Sequence, residues 1–226
     1  MADELRVLLE LGPKGKRVVA VAPAWPGLSR GAKTAEVAIA QLQAYLPRYA
    51  PVAKLAGPEM AAEFAASASV AVLGQYPGTG STDFWGISFA FSDIDRQTMT
   101  SAELERELAL MQASWAFFDA VRSRVSAELE KGPRGGGRDR DHIVRHTLVN
   151  EQGWAEKLGI RAPDGAILTA EGLKTHRAAY CDGIRAYHAE GKPARTWPLR
   201  YLIRHTAFHT LDHAWEMEDK DLTAKG

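Results

Sequence analysis

The chain begins with short apolar runs typical of β-strands. Val-rich runs at residues 5–11 and 17–22 flank a Gly-Pro-Lys-Gly turn at residues 12–15, and this combination predicts a β-hairpin. A further apolar run at residues 69–75 predicts another strand, which ends before a Tyr-Pro-Gly turn. The first third of the chain therefore contains three predicted strands.

The period of the pattern becomes helical between these strands. Thr34 is a suitable N-cap, Glu36 lies in the first turn, and Pro47 is expected to end the helix. The residues that recur at three- and four-residue spacing are Val37, Ala40, Gln41, Ala44 and Tyr45. Together with the strands, this helix predicts a small α+β domain over residues 1–80.

The next segment, residues 81–99, is polar in composition and yet contains Phe84, Trp85, Phe89 and Phe91. A free linker would not carry four aromatic residues within eight positions. We therefore predict an aromatic-containing linker that is either attached to a domain surface or forms the wall or lid of a pocket.

From residue 100 onward the apolar positions follow a helical period. Thr100 and Glu103 form a capping box, and an apolar stripe continues from it to residue 129. The members of the stripe are Leu104, Leu108, Met111, Trp115, Phe118, Val125 and Leu129. A Gly-rich segment at residues 131–137 is expected to separate this helix from the next.

Three more helices are predicted after this break. Asp139 or Asp141 can cap the second, and the third begins near Thr169. The fourth begins at Pro198, a residue suited to the first turn of a helix. Four helices within residues 100–226 predict an all-α four-helix bundle that follows the α+β unit.

Composition and charge restrict the function classes. The chain has 46% hydrophobic and 25% charged residues, and its 28 basic residues balance its 28 acidic ones. Zero net charge disfavours nucleic-acid binding, and no apolar run approaches the roughly 20 residues that span a bilayer. The acidic N-terminus does not resemble a secretory signal, and the single Cys181 suits a reducing compartment, so we expect a cytoplasmic protein.

The candidate chemistry lies on the predicted fourth helix. At about 100° per residue, His209 and His213 fall near the middle of an apolar arc roughly 120° wide. Buried imidazoles need partners for their nitrogens, and a His pair at this four-residue spacing can bind one metal ion. The alternative is a pair of core histidines that bond to neighbouring hydroxyl or carboxylate groups.

A catalytic zinc site has three protein ligands, so the third should come from another helix. His142, His146 and His176 are the candidates. His146 lies about 9 Å from the start of its helix, and the pair lies about 10 Å from the end of the fourth. Antiparallel packing of helices two and four would match these levels, and it requires a crossover connection between helices two and three.

These residues resemble the DinB-like superfamily of metal-binding four-helix bundles. Residues 139–148, with Glu151 and Trp154 beyond them, resemble the family's motif on helix two, and residues 208–217 resemble its motif on helix four. The resemblance covers about 125 residues and is specific at the histidines. It implies a bundle with a crossover connection, in which His146, His209 and His213 bind a divalent metal.

The resemblance also implies an activity. Characterised members resemble thiol-dependent S-transferases, isomerases or hydrolases, so the expected cofactors are zinc or nickel and a low-molecular-weight thiol, with an unnamed small-molecule substrate. His205 and His142 flank the predicted site and are possible additional ligands. Many such bundles resemble dimers, which allows a homodimer, although no surface pattern in the sequence fixes the oligomeric state.

Two other functions remain open at this point. The protein can instead be a stress-related binding or regulatory module in which a four-ligand metal only stabilises the bundle. It can also be a metal-free bundle with hydrogen-bonded core histidines, whose thermal stability would be indifferent to chelators.

Two polar features accompany the predicted site. Glu216 lies at the edge of the inward arc, where it can orient a ligand histidine or act as a catalytic base. Arg134, Arg138 and Arg140 form the main basic cluster, which is either a solvated loop or a binding site for an anionic group near the metal.

The N-terminal part resembles the HicB-like fold of antitoxins. The resemblance rests on the strand and Pro-Gly turn of residues 18–28, followed by Gly31 and by Thr34-Ala35-Glu36, and it covers about a third of the chain. No residue role is transferred from that family, because no basic surface or DNA-binding segment accompanies the pattern.

Overall fold

A computed structural model describes residues 3–132 and 136–223, apart from the side chains of Asp3 and Ala68. Its first part is a four-stranded sheet with the order β3-β2-β1-β4. The strands are β1 (Asp3–Leu11), β2 (Val18–Val21), β3 (Ser29–Ala32) and β4 (Ser67–Pro77). β1 pairs antiparallel with β2 and parallel with β4, which confirms the predicted hairpin and the predicted third strand.

Three helices connect β3 to β4: α1 (Ala35–Ala44), α2 (Leu46–Ala56) and α3 (Pro58–Ala66). The hydroxyl of Thr34 accepts a hydrogen bond from the Val37 amide, as predicted. The helix ends at Ala44, close to the predicted end at Pro47, and Pro47 itself lies in the first turn of α2. A proline is tolerated there, since the first amides of a helix have no intrahelical partner.

Within the predicted linker, two short helices form, α4 (Gly80–Trp85) and α5 (Asp93–Arg96). Glu10 of β1 is fully buried and accepts hydrogen bonds from this segment. The donors are the Thr82 and Ser88 hydroxyls and the Phe89 and Ala90 amides. The first half of the linker, residues 82–90, is therefore attached to the sheet.

The C-terminal part consists mainly of four long helices. These are α6 (Ser101–Arg124), α7 (Arg140–Ala155), α8 (Ala170–Ala189) and α9 (Leu199–Asp219). Side chains of Thr100, Asp139 and Thr169 cap the first three, and Pro198 precedes the fourth. The predicted helix starts are confirmed.

The predicted continuation of the α6 stripe to residue 129 was wrong. The helix ends at Arg124, and Val125 adopts an extended backbone. Asp221 explains the end, because its carboxylate accepts the Ser126 amide and hydroxyl at 2.9 and 3.0 Å. Leu129 lies in an extended segment after the helix and forms a β-bridge with Asp221. Its side chain is buried, but it is not part of the α6 stripe.

α7 and α9 run antiparallel. His146 contacts His213 near one end of the pair, and Trp154 contacts His205 near the other. The contacting residues therefore have increasing numbers along α7 and decreasing numbers along α9. This direction brings the two histidine motifs to the same level.

One hydrophobic cluster joins the sheet to the long helices. It contains Leu5 and Val7 of β1 together with Phe117 of α6 and Trp215 of α9. A second cluster lies among the long helices. The architecture is therefore a mixed α+β fold with a small N-terminal sheet, and the domain boundaries near residues 80 and 100 stay predictions. Within the described residues, no helix combines the length and apolar composition needed to cross a bilayer.

Candidate metal centre

α9 supplies two of the three histidines from a largely buried helix. His213 is buried and His209 is half-buried, while the apolar neighbours Leu202, Ile203 and Met217 are buried on the same helix. The 3.6-residue period places both imidazoles one above the other on the face towards α7. The third histidine, His146, lies on α7 and is half-buried.

The three histidine rings converge on one another between α7 and α9. One ring nitrogen each from His146, His209 and His213 lies within 4.8 Å of the others. The Nε2 atoms of His146 and His209 are 3.2 Å apart. In a tetrahedral zinc site with bonds of 2.0–2.1 Å, ligand nitrogens lie about 3.3 Å apart. The donor set and this spacing fit a divalent metal after small ring movements.

The outer nitrogens of the rings differ in their partners. His213 Nδ1 lies 2.8 Å from Glu216 Oε2, a contact that fixes the ring orientation. Asn150 Nδ2 lies 3.4 Å from His146 Nδ1 and donates to the His146 carbonyl at 2.8 Å. His209 Nδ1 is buried without a hydrogen-bond partner among the described residues. A buried polar atom without a partner is costly, and this nitrogen faces away from the point where the three rings converge.

Burial favours the neutral form of the His146 and His209 imidazoles. Burial, followed by the charges of His213 and His146, lowers the pKa of His209 to about 2. Burial, followed by the His213 and Arg138 charges, also lowers the pKa of His146. Because an imidazole binds metal only through an unprotonated nitrogen, these rings are ready to bind at neutral pH.

Glu216 lies beside this site and is held in the ionised form. Burial acts to raise its pKa, but hydrogen bonds from His213 and Lys220 and the charge of Arg138 hold the pKa at about 2. A carboxylate with this pKa is a weak base at neutral pH, whereas its contact with His213 suits an orienting role. A catalytic role for Glu216 stays a prediction.

The two possible additional ligands, His205 and His142, do not join the group of three within the described residues. His205 lies one turn before His209, stacked on Tyr201 and edge-on to Trp154 and Trp197. His142 is exposed on α7. The structure therefore offers three histidine ligands and not four.

The buried His205 ring predicts a pH dependence of stability. Burial, with the nearby Arg204 charge, lowers the pKa of His205 to about 3, whereas an unfolded histidine titrates near 6.5. The unfolded state alone binds this proton between the two values, so stability is complete above pH 6.5 and falls as the pH falls below it. In chelator-treated protein between pH 6 and 5, the free energy of unfolding should fall less steeply with falling pH in His205→Gln than in the wild type. The difference in slope should be up to about 1.4 kcal/mol per pH unit. Denaturant unfolding at several pH values tests this, and parallel curves for the two proteins would contradict it.

Three neighbours of the site had no individual role in the sequence-based prediction. Trp154 packs edge-on against His209, and Asn150 contacts His146. Arg138 donates to Glu216 at 2.7 Å. Trp154 was noted only as part of a motif, and Arg138 only as part of a basic cluster whose Arg134 lies outside the described residues. The helical spacing of Asn150 and Trp154 from His146 is the signal that places them on the same face.

The chain matches no protein-family model, no curated protein and no solved structure. The case for a metal centre therefore rests on the residues and geometry of the site, and the family resemblances stay predictions.

Proposed function

We propose that the four long helices form a DinB-like bundle with a crossover connection between α7 and α8. Glu151 of α7 pairs with Arg177 of α8. Farther along both helices, Gly183 of α8 lies next to Leu158, which follows the end of α7. A side chain added at Gly183 would contact Leu158. Residue numbers in the contacting pairs thus increase together along both helices, so α7 and α8 run in the same direction. The intervening segment must return along the length of a helix, which is the connection that the family has.

We propose that the protein is a metal-dependent enzyme whose ion is held by His146, His209 and His213. The observation that carries this proposal is the convergence of three imidazole nitrogens without a fourth His, Cys, Asp or Glu ligand in the described chain. Catalytic zinc sites have three protein ligands and an exchangeable position, whereas structural sites have four. His146 and His209 are only half-buried, which is compatible with an exchangeable position at the ion.

Two reaction classes fit this site best: transfer of a substrate group to a thiol, and hydrolysis by water. In both, the nucleophile is activated at neutral pH. A bound divalent metal lowers the pKa of a thiol or water in its open position. The chain itself contributes the orientation of His213 through Glu216 and the apolar wall that Trp154 forms against His209. A thiol-dependent S-transferase or hydrolase is the specific activity we propose, on the strength of the DinB-like resemblance.

Cobalt substitution tests whether the site has an exchangeable position. We expect a small thiol such as 2-mercaptoethanol to produce a sulfur-to-cobalt charge-transfer band in the near ultraviolet, because the thiolate enters the open position. A cobalt spectrum indifferent to thiol and to pH would indicate a closed site and would favour the structural-metal function. The His142→Ala variant is the matched control, since it removes a nearby exposed imidazole outside the group of three.

A further inference from the structure

The candidate metal centre has a guanidinium group at its border. Arg138 precedes α7, and its Nη2 donates to Glu216 Oε2 at 2.7 Å. The same carboxylate oxygen contacts His213 Nδ1 at 2.8 Å. The Arg138 guanidinium therefore lies one carboxylate oxygen away from a predicted ligand ring.

Most of the hydrogen-bonding capacity of Arg138 is unused. Among the described residues, its contact with Glu216 is the one hydrogen bond that this side chain makes. A guanidinium has five N–H donors in a planar fork that matches a carboxylate or a phosphate. The side chain is 32% exposed, so the remaining donors are accessible to a dissolved molecule.

The charges at this border favour an anion. Arg138 and Lys220 both pair with Glu216, so these three side chains together carry one net positive charge. A divalent metal held by uncharged imidazoles would add two more. Partly buried positive charge attracts anions and raises their local concentration.

We propose that Arg138, acting together with the metal, binds a carboxylate or phosphate group of the small-molecule substrate. This inference rests on the proposed function and specifies its substrate class as anionic. The guanidinium fork would receive the anionic group while the open metal position receives the reacting atom or a second oxygen. Arg138 is then a binding residue that determines specificity.

Lys220 provides a matched control for Arg138. Its Nζ also pairs with Glu216 at 2.7 Å, and its side chain is 35% exposed. Replacement of either residue by Gln removes one positive charge and one bond to the same carboxylate. The Arg138 charge contributes to lowering the pKa of both the His146 and His209 rings. Both variants lose one bond to Glu216, so a larger effect of Arg138→Gln reports an interaction of Arg138 with the anion beyond the positioning of Glu216.

The experiment is a titration of the cobalt-loaded full-length protein with inorganic phosphate and, separately, with acetate, monitored by the cobalt visible spectrum and by calorimetry. We expect Arg138→Gln to lower the affinity for the more tightly bound of these two anions by roughly 10- to 100-fold, because charge-assisted hydrogen bonds are lost. Lys220→Gln should lower the affinity for the same anion by less than about threefold. The anion that shows the larger difference identifies the group as phosphate or carboxylate.

Two outcomes would overturn the inference: equal weakening in both variants, or no binding of either anion to the loaded wild-type protein. Metal content and the thiol-induced band are measured on the same samples. If these are intact while anion binding fails, the substrate inference fails and the proposed function survives. If the wild type holds no metal, the proposed function itself fails.

Discussion

The His209→Ala variant is expected to lose its metal, with an affinity more than about 100-fold below that of the wild type. Loss of a residue that only orients a ligand already costs about 10- to 100-fold, and loss of a ligand should cost more. His209 contacts both other members of the group: its Nε2 lies 3.2 Å from that of His146, and its ring lies beside that of His213. Metal content after dialysis, with competition by a chromophoric chelator, measures the effect.

His142→Ala is the control for this result. It lies four residues before His146 on the same helix but is exposed and outside the group of three. We expect full metal content in this variant. Equal loss from both variants would show that binding is non-specific, and unchanged metal in His209→Ala would refute the ligand assignment.

The largest loss of stability is expected from Asp95→Asn, at about 3–5 kcal/mol of unfolding free energy. Arg204 of α9 donates to both oxygens of Asp95, at 2.6 and 2.8 Å, and the two side chains are only 6% and 3% exposed. Arginine cannot be deprotonated in proteins, so the variant would leave an uncompensated buried charge. Urea or guanidinium unfolding measures the difference.

Glu105→Gln is the matched control for Asp95→Asn. Arg185 also binds both oxygens of Glu105, each at 2.8 Å, but these side chains are 40% and 54% exposed. Water solvates the remaining charge at that position, so the expected cost is below about 1 kcal/mol. Similar losses in the two variants would show that the segment around α5 is not held by its buried ion pair.

The starts of the long helices were predictable because the signals are local. The hydroxyl of Thr100 accepts the Glu103 amide, and the Glu103 carboxylate accepts the Thr100 amide, as a capping box requires. The ends depended on distant residues and were less predictable. The end of α6 involves Asp221, which is about 95 positions away and carries no signal in the α6 sequence.

The site was predictable to the extent that helical periodicity determines it. The four-residue spacing of His209 and His213 fixes their common face, and the structure places His146 against them. Arg204 illustrates what periodicity cannot reveal. Its partners Ser88 and Asp95 lie over 100 positions away in a segment without a clear period, and only tertiary packing brings them to α9.

The metal content of the untagged wild-type protein is the most direct test of a three-histidine metal centre. The protein would be refilled with zinc or nickel, dialysed and analysed by inductively coupled plasma mass spectrometry, with thermal unfolding recorded in the presence and absence of chelator. We predict close to one ion per chain and a melting temperature that chelator lowers, because a ligand that binds only the folded state stabilises it. A protein that retains no metal after refilling, and whose melting temperature is indifferent to chelator, would contradict the account.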